Sequence, residues 1–167
     1  MAISGTGYVK RSDFMIFANV SATETPSWEL LGDKIEDLSI AMNPNVETVT
    51  DITGNTTTTL DKYNPQSSVS PYRAKKDSAL FPILYAIVQE EKTLSEVEMT
   101  FLCVNVFDST GEGETLAYAA WTQKGVVAVQ SYGGDTKGLG IPFNIHWSGT
   151  KTYGTFNPTT SAFTAAS

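Results

Sequence analysis

The sequence has one cysteine, one histidine, few basic residues and no long hydrophobic run. Each shortage removes a class of explanation. A lone Cys103 cannot form an internal disulfide, which fits a reducing compartment. A lone His146 rules out a multi-histidine metal site, a Ser-His-Asp or Cys-His arrangement is not expected either, and no metal or other cofactor is expected. Eleven Lys and Arg against 18 Asp and Glu give a net charge of −7, which argues against tight or sequence-reading nucleic-acid binding. The longest apolar run is too short to cross a bilayer, so no membrane insertion is expected. The opening MAISGTGYVKRSDF lacks the apolar centre of a signal peptide, and the reading is a chain that folds in a cytoplasm.

What remains is an ordinary globular composition, 41% hydrophobic over 167 residues, most simply one domain spanning 1–167. Residues 1–12 read as a flexible arm, with Gly5 and Gly7 and little to pack beyond Ile3, Tyr8 and Val9. Asp77–Glu91 is the one convincing helix. Leu80, Phe81, Ile83, Leu84, Ile87 and Val88 recur at helical spacing, and Asp77 or Ser78 can cap the start. The helix is expected over about 78–91, with a sheet covering its apolar stripe.

Everything else reads as strand. Asp13–Val20 is apolar on both faces and suggests a central strand; Ala22–Asp37 reads as a loop anchored by Trp28 and Leu30-Leu31. Leu38, Ile40 and Met42 alternate as a half-buried strand. Residues 46–73 form a long hairpin with its turn at Gly54-Asn55. Seven of the residues from Thr48 to Thr59 are Thr, which favours strand while offering little apolar area. Two strands with no packed face are marginal in water, so a second subunit is expected to complete this hairpin. Val97–Phe107, Leu116–Tyr132 (a long strand or two, broken near Lys124-Gly125) and the alternating Leu139–Trp147 follow. Ser148-Gly149 then turns the chain, and Lys151–Phe156 with Ser161–Ala165 ends it. About eight strands and one helix predict a mainly β fold, a β-sandwich or small barrel with one covering helix.

No catalytic grouping emerges, and no enzyme is expected. His146 lies on the polar face of its strand and Cys103 between Leu102 and Val104, a buried small hydrophobe. The pairs Glu90/Glu91, Glu96/Glu98 and Glu112/Glu114 fall at a helix end, a strand start and a turn, where solvated carboxylates are usual. YGGDTKGLG lacks the phosphate-loop order, since no Ser or Thr follows its lysine and no helix follows the loop. The sequons at Asn19 and Asn55 have no secretion signal to give them meaning.

Several motifs in order carry a family resemblance. Asp51-Ile52-Thr53-Gly54 leads to a polar strand, then Val69-Ser70-Pro71-Tyr72, then Asp77 and the apolar Leu84-Tyr85-Ala86-Ile87; the chain ends on Gly154-Thr155-Phe156-Asn157-Pro158 and a Phe-Thr strand. From about Asp13 to Ala165 this resembles the major tail proteins of long-tailed, siphovirus-type phages, the tail tube subunits related to inner-tube proteins of contractile tails and type VI secretion. The resemblance implies a tube-type β-sandwich or small barrel without the C-terminal immunoglobulin-like domain of some relatives. It implies a homo-oligomer of hexameric rings stacked into a tube, working with tape measure and tail completion or tip proteins. DNA would pass through the lumen without specific binding, past an acidic wall, in a virion assembled in a bacterial cytoplasm. Asp51, Ile52, Thr53, Gly54, Asn55, Tyr63, Val69, Pro71 and Tyr72 are the subunit-interface candidates. Rival readings are a DNA-free bacteriocin or injection tube and a β-sandwich carbohydrate-binding or adhesin module, in which Trp28, Trp121 and tyrosines stack on sugars.

Overall fold

The structure, a computed structural model, describes Ile3 and residues 6–167. Met1, Ala2, Ser4 and Gly5 of the expected arm lie outside the described residues; Thr6–Lys10 are exposed and outside any regular element. Half of the chain is strand, and the fold is mainly β with a curled half-barrel sheet. Among the described residues there is one α-helix, α1 (Leu80–Glu90).

Seven strands make the main sheet. They are β1 (Phe14–Asn19), β2 (Trp28–Leu30), β5 (Gln66–Val69), β6 (Glu98–Thr110), β7 (Ala117–Val129), β10 (Phe143–Asn157) and β11 (Ala162–Ala165). Their order is β11-β10-β7-β6-β1-β2, and β5 pairs with the first part of β10 while β11 pairs with its last part. Two small ribbons stand apart from this sheet, β3 (Pro44–Thr50) with β4 (Thr56–Tyr63) and β8 (Gly133–Asp135) with β9 (Gly138–Gly140).

The sheet changes its apolar face along its length. Near the start of β6, Phe101, Cys103, Val127, Phe143, Ile145 and Trp147 point to one side, where Leu80, Leu84 and Ile87 of α1 close over them. Further along the same strands Leu102, Val104, Ala120 and Phe156 point to the opposite side, with Phe17 and Trp28 packed on them. The rings of Phe17 and Phe156 lie 5.4 Å apart although β6 and β7 run between their strands. In a flat sheet three strand spacings would separate them by about 14 Å, so the sheet curls towards that face. β1 is apolar on both faces because each face belongs to a different core.

Local chemistry explains where the sequence reading holds and where it does not. α1 packs as its stripe predicts, and Ser78 Oγ accepts from the backbone N–H of Phe81 at 3.4 Å, a long bond of the expected kind, but it does not satisfy the N–H groups of Ala79 and Leu80. Glu29 of β2 does so: its Oε2 accepts from the backbone N–H of Ala79 at 2.8 Å and of Leu80 at 3.0 Å, while Ser78 Oγ donates to Oε1. Trp28–Leu30 is therefore a strand and not a loop, paired to β1 with Glu29 opposite Ala18 on the helix side. The expected strand at Leu38–Met42 is reduced to one bridge, Ala41 to Gln66.

β7 is unbroken at Gly125. A Cβ there would stand 2.6 Å from Ile145 Cγ2 and 3.0 Å from Phe101 Cε2, so glycine makes room for the edge-on packing of Phe101 against Trp147, centroids 5.4 Å apart. Ser148-Gly149 is not a turn either. β10 runs through it with a bulge between Ser148 and Thr152, where Gln123 Nε2 donates to Gly149 O at 3.3 Å. The alternating run from Leu139 is interrupted at Ile141-Pro142: β9 belongs to the small glycine-rich ribbon, and β10 begins at Phe143. Pro142 supplies no backbone donor to continue a ladder.

Candidate assembly surface

The β3–β4 hairpin is the part of the molecule with nothing to pack on. Every residue of both strands is exposed, and neither strand pairs with the main sheet. Inside the hairpin the pairing is regular. Thr48 faces Thr58 and Thr50 faces Thr56, each pair joining hydroxyls at 3.1 Å. Val46 faces Leu60 on that same side, both exposed, and Val49 is exposed on the other. A slip in register after Asn45 leaves Asp61 as an extra residue, whose carboxylate accepts from Asn45 Nδ2 at 3.2 Å. The hairpin thus carries two unpaired ladder edges and a scatter of uncovered aliphatic side chains.

Its tip is locked. Asp51 Oδ1 accepts from Thr53 N at 2.8 Å, Thr53 Oγ1 at 2.6 Å and Asn55 N at 3.0 Å. The Thr53 hydroxyl foremost, then the Asn55 N–H, hold the Asp51 carboxyl below its ordinary value. Gly54, at φ 85°, closes the turn in the region that glycine enters without penalty. The result is a rigid turn that presents Ile52 wholly to solvent, at 106% of its reference exposure.

The nine residues singled out from sequence separate into two groups. Asp51, Ile52, Thr53, Gly54 and Asn55 make the tip, and Tyr63 is exposed at the base of the hairpin. Val69, Pro71 and Tyr72 are elsewhere. The hairpin ends at Tyr63 rather than Arg73, because Asn64-Pro65 turns the chain and β5 crosses to pair with β10. Val69 is fully buried in the helix-covered core, and Tyr72 is buried with its ring edge-on to Phe143 at 5.7 Å. Burial pushes the Tyr72 hydroxyl up from its ordinary value. Both belong to the chain's own interior, while Pro71 is exposed beside them.

A second uncovered surface lies on the main sheet, opposite α1. There Thr100, Thr122, Lys124, Asn144, His146 and Ser148 face outward from β6, β7 and β10. Glu98 reaches Lys124 at 3.7 Å, so this face is polar and nearly balanced in charge rather than strongly acidic. Sequence reasoning placed His146 on a polar face but did not join these residues into one wall; the strand register does.

Neither surface assembles reactive chemistry. Cys103 is buried between the layers, and that burial pushes its thiol up to about 12. Among the described residues no group of three or more His, Cys, Asp or Glu is disposed to hold a metal ion, and no helix is long and apolar enough to cross a membrane. The glycine-rich ribbon is held to the body by Arg73, whose guanidinium takes Asp135 in a two-pronged ion pair at 2.8 and 3.0 Å. A Cβ at Gly134 would collide with the backbone oxygen of Gly138, so the ribbon's two strands approach too closely for a side chain there. Compared with known proteins, the sequence matches no family model and no curated protein.

Proposed function

We propose that this protein is a structural subunit that assembles with copies of itself into stacked rings forming a tube, the tail tube of a long-tailed phage, through which DNA is delivered. The observation that carries this reading is the β3–β4 hairpin. Fifteen strand residues, 44–50 and 56–63, are all exposed, keep both ladder edges open and end in a locked turn. An isolated two-stranded ribbon is marginal in water, and open edges invite pairing with another chain. Docking against a neighbouring copy removes both problems at once.

The uncovered wall opposite α1 supports the conduit. A face of Thr, Asn and Ser side chains with His146, its one lysine beside Glu98, offers little fixed positive charge to retain a phosphate backbone. The main sheet ends on three-residue β2 at one side and on β5 and β11 at the other, short edges suited to meeting a neighbour. The order of motifs described from sequence selects the phage tube within the class of self-assembling β proteins. In such a tube the tape measure and tail completion proteins are the partners, and the role is structural rather than catalytic.

The test is negative-stain electron microscopy of the purified protein over a concentration series, paired with sedimentation. Tubes or stacked rings of uniform width are the expected result. A protein that stays monomeric at every concentration and also binds glycans would overturn the reading in favour of an adhesin module.

A further inference from the structure

An apolar groove of about 570 Å³ runs between the end of α1 and the last residues of β7. Ile87, Val88, Val97, Val127 and Val129 line it, with Leu94 and Tyr132 at the rim. Leu94 is 85% exposed and sits at φ 56°, a left-handed conformation that aliphatic residues seldom adopt. The strain has no return within the chain, since the side chain it directs outward meets only solvent.

We propose that Tyr8 and Val9 of one copy occupy this groove on another copy. The inference rests on the self-assembly reading above and adds the contact that joins one copy to the next. Tyr8 is fully exposed and Val9 largely so, on a segment that carries Lys10 and Arg11 and no carboxylate before Asp13. Glu91 lines the groove, Glu90 and Glu96 belong to the segments that carry its lining residues, and Lys92, the one cation among its described lining residues, is drawn to Glu90 at 3.2 Å. Basic arm and acidic rim attract. The other fully exposed large hydrophobic side chain among the described residues, Ile52, has no cation beside it and is preceded by the ionised Asp51, so the rim would repel it.

Reach excludes the arm's own groove. Arg11 moors the arm, donating to the carbonyls of Phe14 and Leu38. Phe14 pairs with Asn105, whereas the groove lies by Val126, the partner of Glu98 at the other end of the same strand. Those seven residues of β6 span about 23 Å, while Tyr8, three residues upstream of Arg11, extends at most about 11 Å from it. Arm and groove therefore sit at opposite ends of the sheet. A contact of this kind uses two different surfaces and can therefore repeat from copy to copy, as an extended assembly requires.

The experiment is a disulfide trap in the full chain, Val9→Cys together with Leu94→Cys, oxidised after assembly. Cys103 is buried and does not compete. The expected result is a ladder of linked dimers and longer multimers, absent from either single variant. Tubes in micrographs without a 9–94 link would overturn this docking and leave the tube reading standing. Absence of both tubes and links at every concentration would overturn both. Leu94→Asp provides an independent reading, since an exposed position tolerates the change in the folded monomer. It should raise the concentration needed for half the protein to pellet by about tenfold or more; an unchanged pelleting curve would overturn the docking.

Discussion

The helix-covered part of the main sheet and the β3–β4 hairpin are both built from regular antiparallel pairs, yet only the first has anything to pack on. In the sheet, Phe101, Phe143 and Ile145 are buried under α1 and the ladder is one contribution among several. In the hairpin there are the ladder, two Thr–Thr hydroxyl pairs, the Asn45–Asp61 bond and the Asp51 turn, with no buried side chain in either strand. Burial makes the first region insensitive to what surrounds the molecule. Its absence leaves the second region with only its ladder, its side-chain hydrogen bonds and its turn to hold it. Similar backbone, different dependence.

Substitutions can break that comparison, beginning with the largest effect. Phe101→Ala should cost about 3–5 kcal/mol in denaturant unfolding, through lost burial and the cavity left between Gly125 and Trp147. Glu29→Gln keeps the shape but weakens the acceptor serving Ala79 and Leu80. A loss of about 1–3 kcal/mol is expected, with α1 amides exchanging faster. Hairpin changes should behave in the opposite manner. Ile52→Ser is expected to shift monomer stability by under about 0.5 kcal/mol, yet to lower the pelleted fraction sharply in sedimentation. If Ile52→Ser destabilised the monomer as much as Phe101→Ala, the hairpin would be part of the core and the comparison would fail.

The smallest effect is one of pH. The Asp51 carboxyl is held below its ordinary value of 3.8, chiefly by the Thr53 hydroxyl, so the ionised form is the one the folded tip prefers. Its contribution is therefore fully present above the unfolded value and is lost as the pH falls through the lowered one. Amide resonances of Thr53 and Asn55 should hold their positions down to the ordinary carboxylate range and shift only below it. Movement of those resonances near neutral pH would contradict the lock.

Much of the fold was legible because its signals are periodic. The stripe from Leu80 to Val88 marks a helix, and Phe143, Ile145 and Trp147 mark the inward face of β10. What was hidden depends on residues far apart in sequence. Glu29 caps a helix 50 positions away, and nothing near Trp28–Leu30, between Pro26 and Gly32, announces that role. Gly125 reads as a strand breaker until Phe101 and Ile145 are seen to occupy the space above it. The hairpin was visible from its threonines but overran its true end, since Gln66–Val69 continues the same polar tone while turning Ser67 and Val69 inward. The tip residues were found as a turn. The polar wall opposite α1 was missed, because a surface shared by three strands exists only once their register is known.

The pairing of β1 with β6 has a consequence for the order in which the chain is made. Ile16 meets Cys103, about 87 residues later, so at translation rates of 5–20 residues per second β1 waits roughly 4–17 s for its neighbour to be synthesised. Throughout that wait only the short β2 is at hand to pair with β1, through Phe17 and Leu30, and the β6 side of Met15, Ile16 and Phe17 stays open. The first strand of the fold to leave the ribosome thus waits longer for its sheet neighbour than β5 does for β10, and the newborn chain carries a half-paired apolar strand at the very segment that later joins its two cores.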